Sequence, residues 1–378
     1  MTVKRIGLIT TLDTNIGDDF IREGICLLLR EVFKGEEIEF IPVNKHRPLT
    51  AYPKWHPIQL SKAACILPRG RTRVSRFIET VAAKLKSSRF DNCDLIVQCG
   101  APVFSPSCSH TEWVKPIWEE IIGRLHDRIP VFNLAAGSCY PWERQPAKID
   151  SPEDEKYIRA ILGYCRLTTV RDKLSLKLCN ALGLELPLIP CSALLVGRGR
   201  KARITPSGYI LINYMSGGGH YAWEQGIDDR KWEDTVKALI ARLSKRHKMA
   251  FLCHDEKEFS LTKKLDPELP VFFPKSPQEY LDCVSESKFA ICNRMHASIA
   301  MAGIGIPSIA ICTDTRMLMV SQIGLTTHYV KDVNVDMVED ETEKGLQSVR
   351  SELDRLLAVQ SETWTDYLAA MKETLHRA

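Results

Sequence analysis

Ten short apolar runs, most of them rich in β-branched residues, recur along this 378-residue chain and are separated by segments with helical spacing. They occupy residues 5–10, 38–43, 94–98, 131–134 and 167–170 in the first half, and 209–214, 249–253, 271–273, 289–292 and 308–311 in the second. Runs this short and this largely apolar fit strands covered on both faces, as in parallel sheets. Parallel neighbours need crossover connections, and the helical segments supply them, residues 232–247 being a clear case. The fold class is therefore α/β. Length argues for two domains, each with ample core. The best boundary is the basic, glycine-spaced stretch 197–203, which follows a strand-like run at 193–196. This gives domains over 1–196 and 204–341, with 342–378 as a helix packing back across both.

The residues around 288–307 place chemistry on that frame. The apolar run 288–292 reads as a strand, polar Asn293 and Arg294 end it, and small residues from Ala297 to Gly303 suit a helix packed tightly on a sheet. Arg294 and His296 thus stand at the carboxyl edge of a parallel sheet, where open α/β sheets bind ligands. An arginine offers a rigid fork of donors, the helix start adds free N–H groups, and a histidine moves protons near neutral pH. The plainer alternative has Arg294 paired with a structural carboxylate and His296 capping the helix.

Three motifs, in order and spanning almost the whole chain, resemble those of the polysaccharide pyruvyl transferases. The first is Asn15-Ile16-Gly17-Asp18 after the opening strand, similar to that family's Asn-x-Gly-Asp. The second is Val170-Arg171-Asp172-Lys173-Leu174-Ser175, similar to its Val-Arg-Asp-x-x-Ser. The third is Arg294-Met295-His296, a small-residue helix, Gly305-Ile306-Pro307 and Asp314-Thr315-Arg316, similar to its C-terminal signature. Arg316 stands where that family usually has lysine, so a planar fork replaces a point charge. The glycine-rich strand end of the N-terminal half is reduced here to Gly100.

The resemblance implies two Rossmann-like domains facing a cleft, the GT-B-type glycosyltransferase architecture, with the acceptor on the N-terminal side and the donor on the other. It implies phosphoenolpyruvate as donor, its phosphate and carboxylate held by Arg171, Arg294 and Arg316. The acceptor would be a sugar or lipid-linked saccharide of a cell-surface polysaccharide. His296, as imidazolium, would protonate the methylene carbon and steady the departing phosphate. Asp18 would take the proton of the attacking hydroxyl, the alternative being a helix cap. Asn15, Gly17, Gly100, His220 and His254 are expected in the cleft or at the acceptor. No cofactor or metal enters the scheme.

The run Ser216-Gly217-Gly218-Gly219 either cradles a phosphate through backbone N–H groups or forms a loop over the cleft. His220, with Tyr221 and Trp223 close behind, can stack on a sugar ring, and His110 and Trp113 are placed near the acceptor. His254 ends the run 249–253, again at a carboxyl edge.

A net charge of +4 with dispersed basic residues does not suit nucleic-acid binding. The basic cluster 69–76 is either solvated surface or a peripheral contact with anionic headgroups. Thirteen cysteines, scattered in apolar runs without a Cys-x-x-Cys pair, read as reduced core residues and not as a zinc site. No run approaches a membrane span, so the expected location is the cytoplasm, with peripheral contact at the inner face of the membrane. Walker, Gly-x-Gly-x-x-Gly and Gly-x-Ser-x-Gly patterns are absent from the expected places. Two other readings remain open: a nucleotide-sugar glycosyltransferase of the same architecture, and a non-catalytic relative that binds an anionic sugar.

Overall fold

The computed structural model describes residues 3–13, 16–59, 85–149 and 151–377. Its strands form two six-stranded sheets in which every ladder is parallel. The first contains β1 (Val3–Thr10), β2 (Glu37–Asn44), β3 (Leu95–Cys99), β4 (Pro102–Phe104), β5 (Val131–Ser138) and β6 (Leu167–Val170). Its order is β2-β1-β3-β5-β4, with β6 also pairing β5. The second contains β7 (Tyr209–Asn213), β8 (Met249–Leu252), β9 (Val271–Phe272), β10 (Ser287–Cys292), β11 (Ser308–Cys312) and β12 (Thr326–Tyr329), in the order β12-β11-β10-β7-β8-β9. The α/β class and the pair of Rossmann-like sheets are those anticipated.

All ten apolar runs are strands. Strands β3, β5 and β10 are buried along their whole length, which explains why they carry no polar alternation. Two strands were not anticipated. Three-residue β4 is too short to show a pattern, and β12, Thr-Thr-His-Tyr, is a largely polar edge strand. The strand-like run at 193–196 is corrected: it lies in a 3-10 turn, Ser192–Leu195, with all four residues buried. A short buried apolar run has the same sequence signature whether it is a strand or a tight turn.

That turn is the hinge-pin between the halves. Helix Ile16–Val32 crosses it so closely that a Cβ on Gly24 would come within 1.9 Å of the Ser192 carbonyl oxygen. On the opposite side, a Cβ on Gly303 would meet the Leu194 oxygen at 2.3 Å. The largest hydrophobic core therefore runs unbroken from Leu8, Val97 and Leu134 of the first sheet, through Ala193–Leu195, to Ile210, Ile291 and Ile311 of the second. A separate core covers the other face of the first sheet.

The C-terminal segment differs from the single helix expected over 342–378. It comprises Val335–Gln347 and, after Ser348, Val349–His376. The long helix touches Ile16–Val32 on one half and Met295–Ala302 on the other. Its Gln360 Nε2 donates to the carbonyls of Leu194 (3.1 Å) and Gly303 (2.5 Å), and Tyr367 Oη donates to Pro190 O at 3.0 Å.

In each sheet the chain grows in one direction from its first strand and then returns to grow in the other. β1 has β2 on one side and β3 on the other; β7 has β8 and β10. Crevices open beyond the carboxyl ends of strands at such reversals.

Candidate functional site

At the reversal of the second sheet, Asn213 and Asn293 stitch the ends of β7 and β10 together. Asn213 Oδ1 accepts from the Arg294 backbone N–H at 2.7 Å, and Asn293 Oδ1 accepts from Met215 N–H at 2.8 Å. Arg294 therefore occupies the N-cap position of helix Met295–Ala302, and His296 lies in its first turn without capping it. The Arg294 side chain is engaged by acidic neighbours: Nε donates to Glu258 Oε1 at 2.5 Å and Nη2 donates to Asp255. The plainer alternative for Arg294, a carboxylate partner, is thus present in the fold. Glu258 is almost wholly buried, and burial pushes its carboxyl up while Arg294 pulls it back. Arg316 is gripped in a similar way. Its Nε and Nη2 bond both oxygens of buried Asp314, at 2.9 and 2.7 Å, and its guanidinium lies 5.1 Å from the Tyr221 ring centroid.

The first half contributes Gly17 and Asp18, in the opening turn of helix Ile16–Val32, and Gly100 just after β3. Gly100 has φ of +34°, and a Cβ there would meet Ile21 Cγ2 at 2.6 Å, so glycine is required for the helix to close on the strand end. Arg171 follows β6 and is 1% exposed. Gly137 of β5 makes room for it, since a Cβ there would fall 2.3 Å from Arg171 Nε.

These side chains converge. Asp18, Gly17, Gly100, Arg171, His220, His254, Arg294, His296 and Arg316 all line one cavity of about 490 Å³ between the two halves. Asn15, expected beside them, lies outside the described residues, as does the basic cluster 69–76. Trp113, Tyr221 and Trp223 also line the cavity, whereas His110 does not. The glycine run 217–219 packs tightly: a Cβ on Gly219 would meet Thr313 Oγ1 at 2.3 Å, and one on Gly218 would meet Val330 Cγ2 at 2.5 Å.

Electrostatics sharpen the picture. Burial holds His296 well below 6.5, and the charges of Arg171, Arg316 and Arg294 push it further the same way. Both effects disfavour the imidazolium form in the free protein. His296 Nε2 is buried without a hydrogen-bond partner among the described residues. His254 is held low for the same first reason, burial, and stands edge-on to Phe20 and Tyr280 at 5.9 and 5.4 Å. His220 is lowered by burial and then by Arg316.

Sequence reasoning missed Lys45. It follows β2, is 5% exposed and lines the cavity, with its ammonium 5.1 Å from the Trp113 ring centroid. Burial lowers its pKa, with Asp18 opposing that shift and Arg171 adding to it. The available signal was positional, because Lys45 follows its strand much as Arg294 follows β10. Asp255 and Glu258 were missed as partners of Arg294 because the contact joins residues 39 and 36 positions apart.

Two motifs also meet away from the cavity surface. Asp172 caps helix Lys173–Ala181 by accepting from Ser175 N–H and takes bonds from Ser138 N–H and Oγ at 2.8 and 2.9 Å. Ser138 Oγ is in turn 2.9 Å from Thr315 Oγ1 of the other half.

The sequence model of the family described as polysaccharide pyruvyl transferase matches residues 15–314. No curated protein matches the chain. Among solved structures, a putative UDP-N-acetylglucosamine 2-epimerase from Listeria monocytogenes superimposes with a TM-score of 0.56 at 11% identity, covering 100% of this chain and 98% of that one. The S. aureus MnaA–UDP complex gives 0.52 at 12% identity, covering 98% and 94%. The UDP-GlcNAc 2-epimerase from Neisseria meningitidis bound to UDP-GlcNAc gives 0.51 at 11% identity over the full length of both chains. At these identities the likeness concerns the fold, two Rossmann-like domains about a cleft in the GT-B-type arrangement.

Proposed function

The chain belongs to the polysaccharide pyruvyl transferase family, and from that premise we propose that it transfers the enolpyruvyl group of phosphoenolpyruvate to two hydroxyls of one sugar. The product is a cyclic pyruvate ketal, with phosphate released. The observation that carries this reading is the convergence of four cations, Lys45, Arg171, Arg294 and Arg316, around His296 in one interdomain cavity.

The donor has a phosphate and a carboxylate on one carbon, so it calls for several cationic donors at once. Attack at that carbon requires protonation of the adjacent methylene to a methyl group. One sugar hydroxyl adds to the central carbon as the methylene takes up a proton. The second then displaces phosphate from the same carbon, so one hydroxyl proton is balanced by the methyl and the other leaves with phosphate. His296 is the acid. Burial and the surrounding arginines disfavour its charged form in the free protein, which fits a proton acquired when the anionic donor offsets those arginines. Asp18, near Lys45 at the mouth of helix Ile16–Val32, receives the hydroxyl proton. Tyr221 and Trp223, whose rings lie 5.0 Å apart, offer a stacking surface for the acceptor sugar.

Among the described residues no helix is long and apolar enough to cross a membrane.

The test is calorimetric titration with phosphoenolpyruvate beside UDP-, GDP- and CMP-linked sugars, followed by phosphate-release assays over a panel of saccharide acceptors. Saturable binding of phosphoenolpyruvate alone is expected. Binding of a nucleotide sugar in its place would move the assignment to glycosyl transfer.

A further inference from the structure

The four cations around the cavity divide into two kinds. Arg294 faces two carboxylates and Arg316 faces one, so formal charge there is one positive against two negative and one against one. Lys45 and Arg171 are different. Among the described residues neither forms an ion pair, and the Arg171 guanidinium donates to the Cys191 sulfur at 3.7 Å, a weak acceptor. Both are almost wholly buried, and the charge of Arg171 weighs against the charged form of Lys45. Asp18 and, after it, Glu112 attract Lys45 from a distance, and Glu112 is itself engaged by His46 at 2.7 Å.

Burying two like charges is costly, and replacing such groups by apolar ones of similar volume is often neutral or stabilising. A dianion entering the cavity gains most beside cations that no ion pair already engages, and those two belong to the first half. We propose that Lys45, together with Arg171, is the seat of the donor's phosphate group. This rests on the reading of phosphoenolpyruvate as donor for its substrate, although the anion seat itself does not. Trp113, whose ring underlies the ammonium, fixes the direction in which Lys45 points. Lys45 is thus a substrate-binding residue that the family motifs do not include.

The experiment is calorimetric titration of wild type and Lys45→Met with inorganic phosphate and with phosphoenolpyruvate, beside thermal melts and steady-state kinetics. Loss of one charge-assisted contact predicts about tenfold weaker phosphate binding in Lys45→Met, with KM for phosphoenolpyruvate raised more than kcat is lowered. The thermal midpoint should stay level or rise, a result that a merely structural lysine would not give. Lys45→Arg should recover part of the affinity. Phosphate affinity within twofold of wild type in folded Lys45→Met would overturn the assignment. Should that variant fail to fold, Lys45→Gln is read by the same criteria. Phosphate binding that depends on Lys45, without turnover of phosphoenolpyruvate, keeps the seat and removes the proposed reaction. Turnover with a KM untouched by Lys45→Met does the reverse.

Discussion

Ser138 Oγ and Thr315 Oγ1 lie 2.9 Å apart across the interface of the two halves, both fully buried. Thr315 Oγ1 also accepts from Tyr140 N–H at 2.9 Å, and Ser138 Oγ donates to Asp172. The Val-Arg-Asp and Asp-Thr-Arg motifs are therefore parts of one hydrogen-bonded unit, with Arg171 and Arg316 beside it. Thr315→Val keeps the shape and removes the oxygen that accepts from Tyr140 N–H and meets Ser138 Oγ. Stability should fall by about 1–3 kcal/mol, read from urea unfolding, and KM for the donor should rise because both arginines lose their support.

Arg294→Ala tests more than ligand binding. It strands Glu258, nearly buried, and Asp255 without their cation, and breaking such a pair costs about 3–5 kcal/mol. Lost affinity in that variant alone would be ambiguous. Arg294→Met combined with Glu258→Gln should recover much of the stability and still bind phosphoenolpyruvate poorly. Recovery of both would remove Arg294 from the donor site.

Stability should depend on pH through His254 and His296. Both are held well below 6.5, first by burial, so below that value the unfolded chain binds protons that the folded one refuses. Stability is complete above 6.5 and is lost as pH falls toward the folded values, by at most about 1.4 kcal/mol per unit for each histidine. Urea midpoints measured one unit above and one unit below 6.5 should differ in that direction. His254→Phe, which fits among Phe20 and Tyr280, should flatten the dependence, and an unchanged slope would contradict this account of His254.

Donor binding should take up a proton. An anion that offsets Arg171, Arg316 and Arg294 relieves the repulsion that depresses His296. Calorimetry in two buffers of different ionisation enthalpy, near neutral pH, should show net uptake that disappears in His296→Gln. The same uptake in the variant would exclude His296 as the acceptor of that proton.

Gln360 bonds two carbonyls belonging to different halves, those of Leu194 and Gly303. Gln360→Leu leaves both buried oxygens unmatched and should cost about 1–3 kcal/mol. Since the helix clamps the halves together, the loss should appear as weaker donor binding as well as a lower melting temperature.

The sequence by itself determined the sheets and the edges where ligands bind. Short, largely apolar runs such as 131–134 and 289–292, set between helical segments, read as strands covered on both faces, and the polar residues that end them fall at carboxyl edges. Arg294, His296, Arg171 and Asp18 were legible for that reason, together with motifs whose spacing survives in one dimension. Only the tertiary structure decided the state of charge at the site. Whether Arg294 and Arg316 carry free or compensated charge depends on Asp255, Glu258 and Asp314. Whether His296 is protonated depends on burial and on three arginines from distant parts of the chain. Lys45 became visible only when β2 was set beside β1, with Trp113 beneath its ammonium. Local pattern fixes which groups reach a sheet edge, whereas their ionisation and pairing depend on distances and solvent access that sequence separation does not encode.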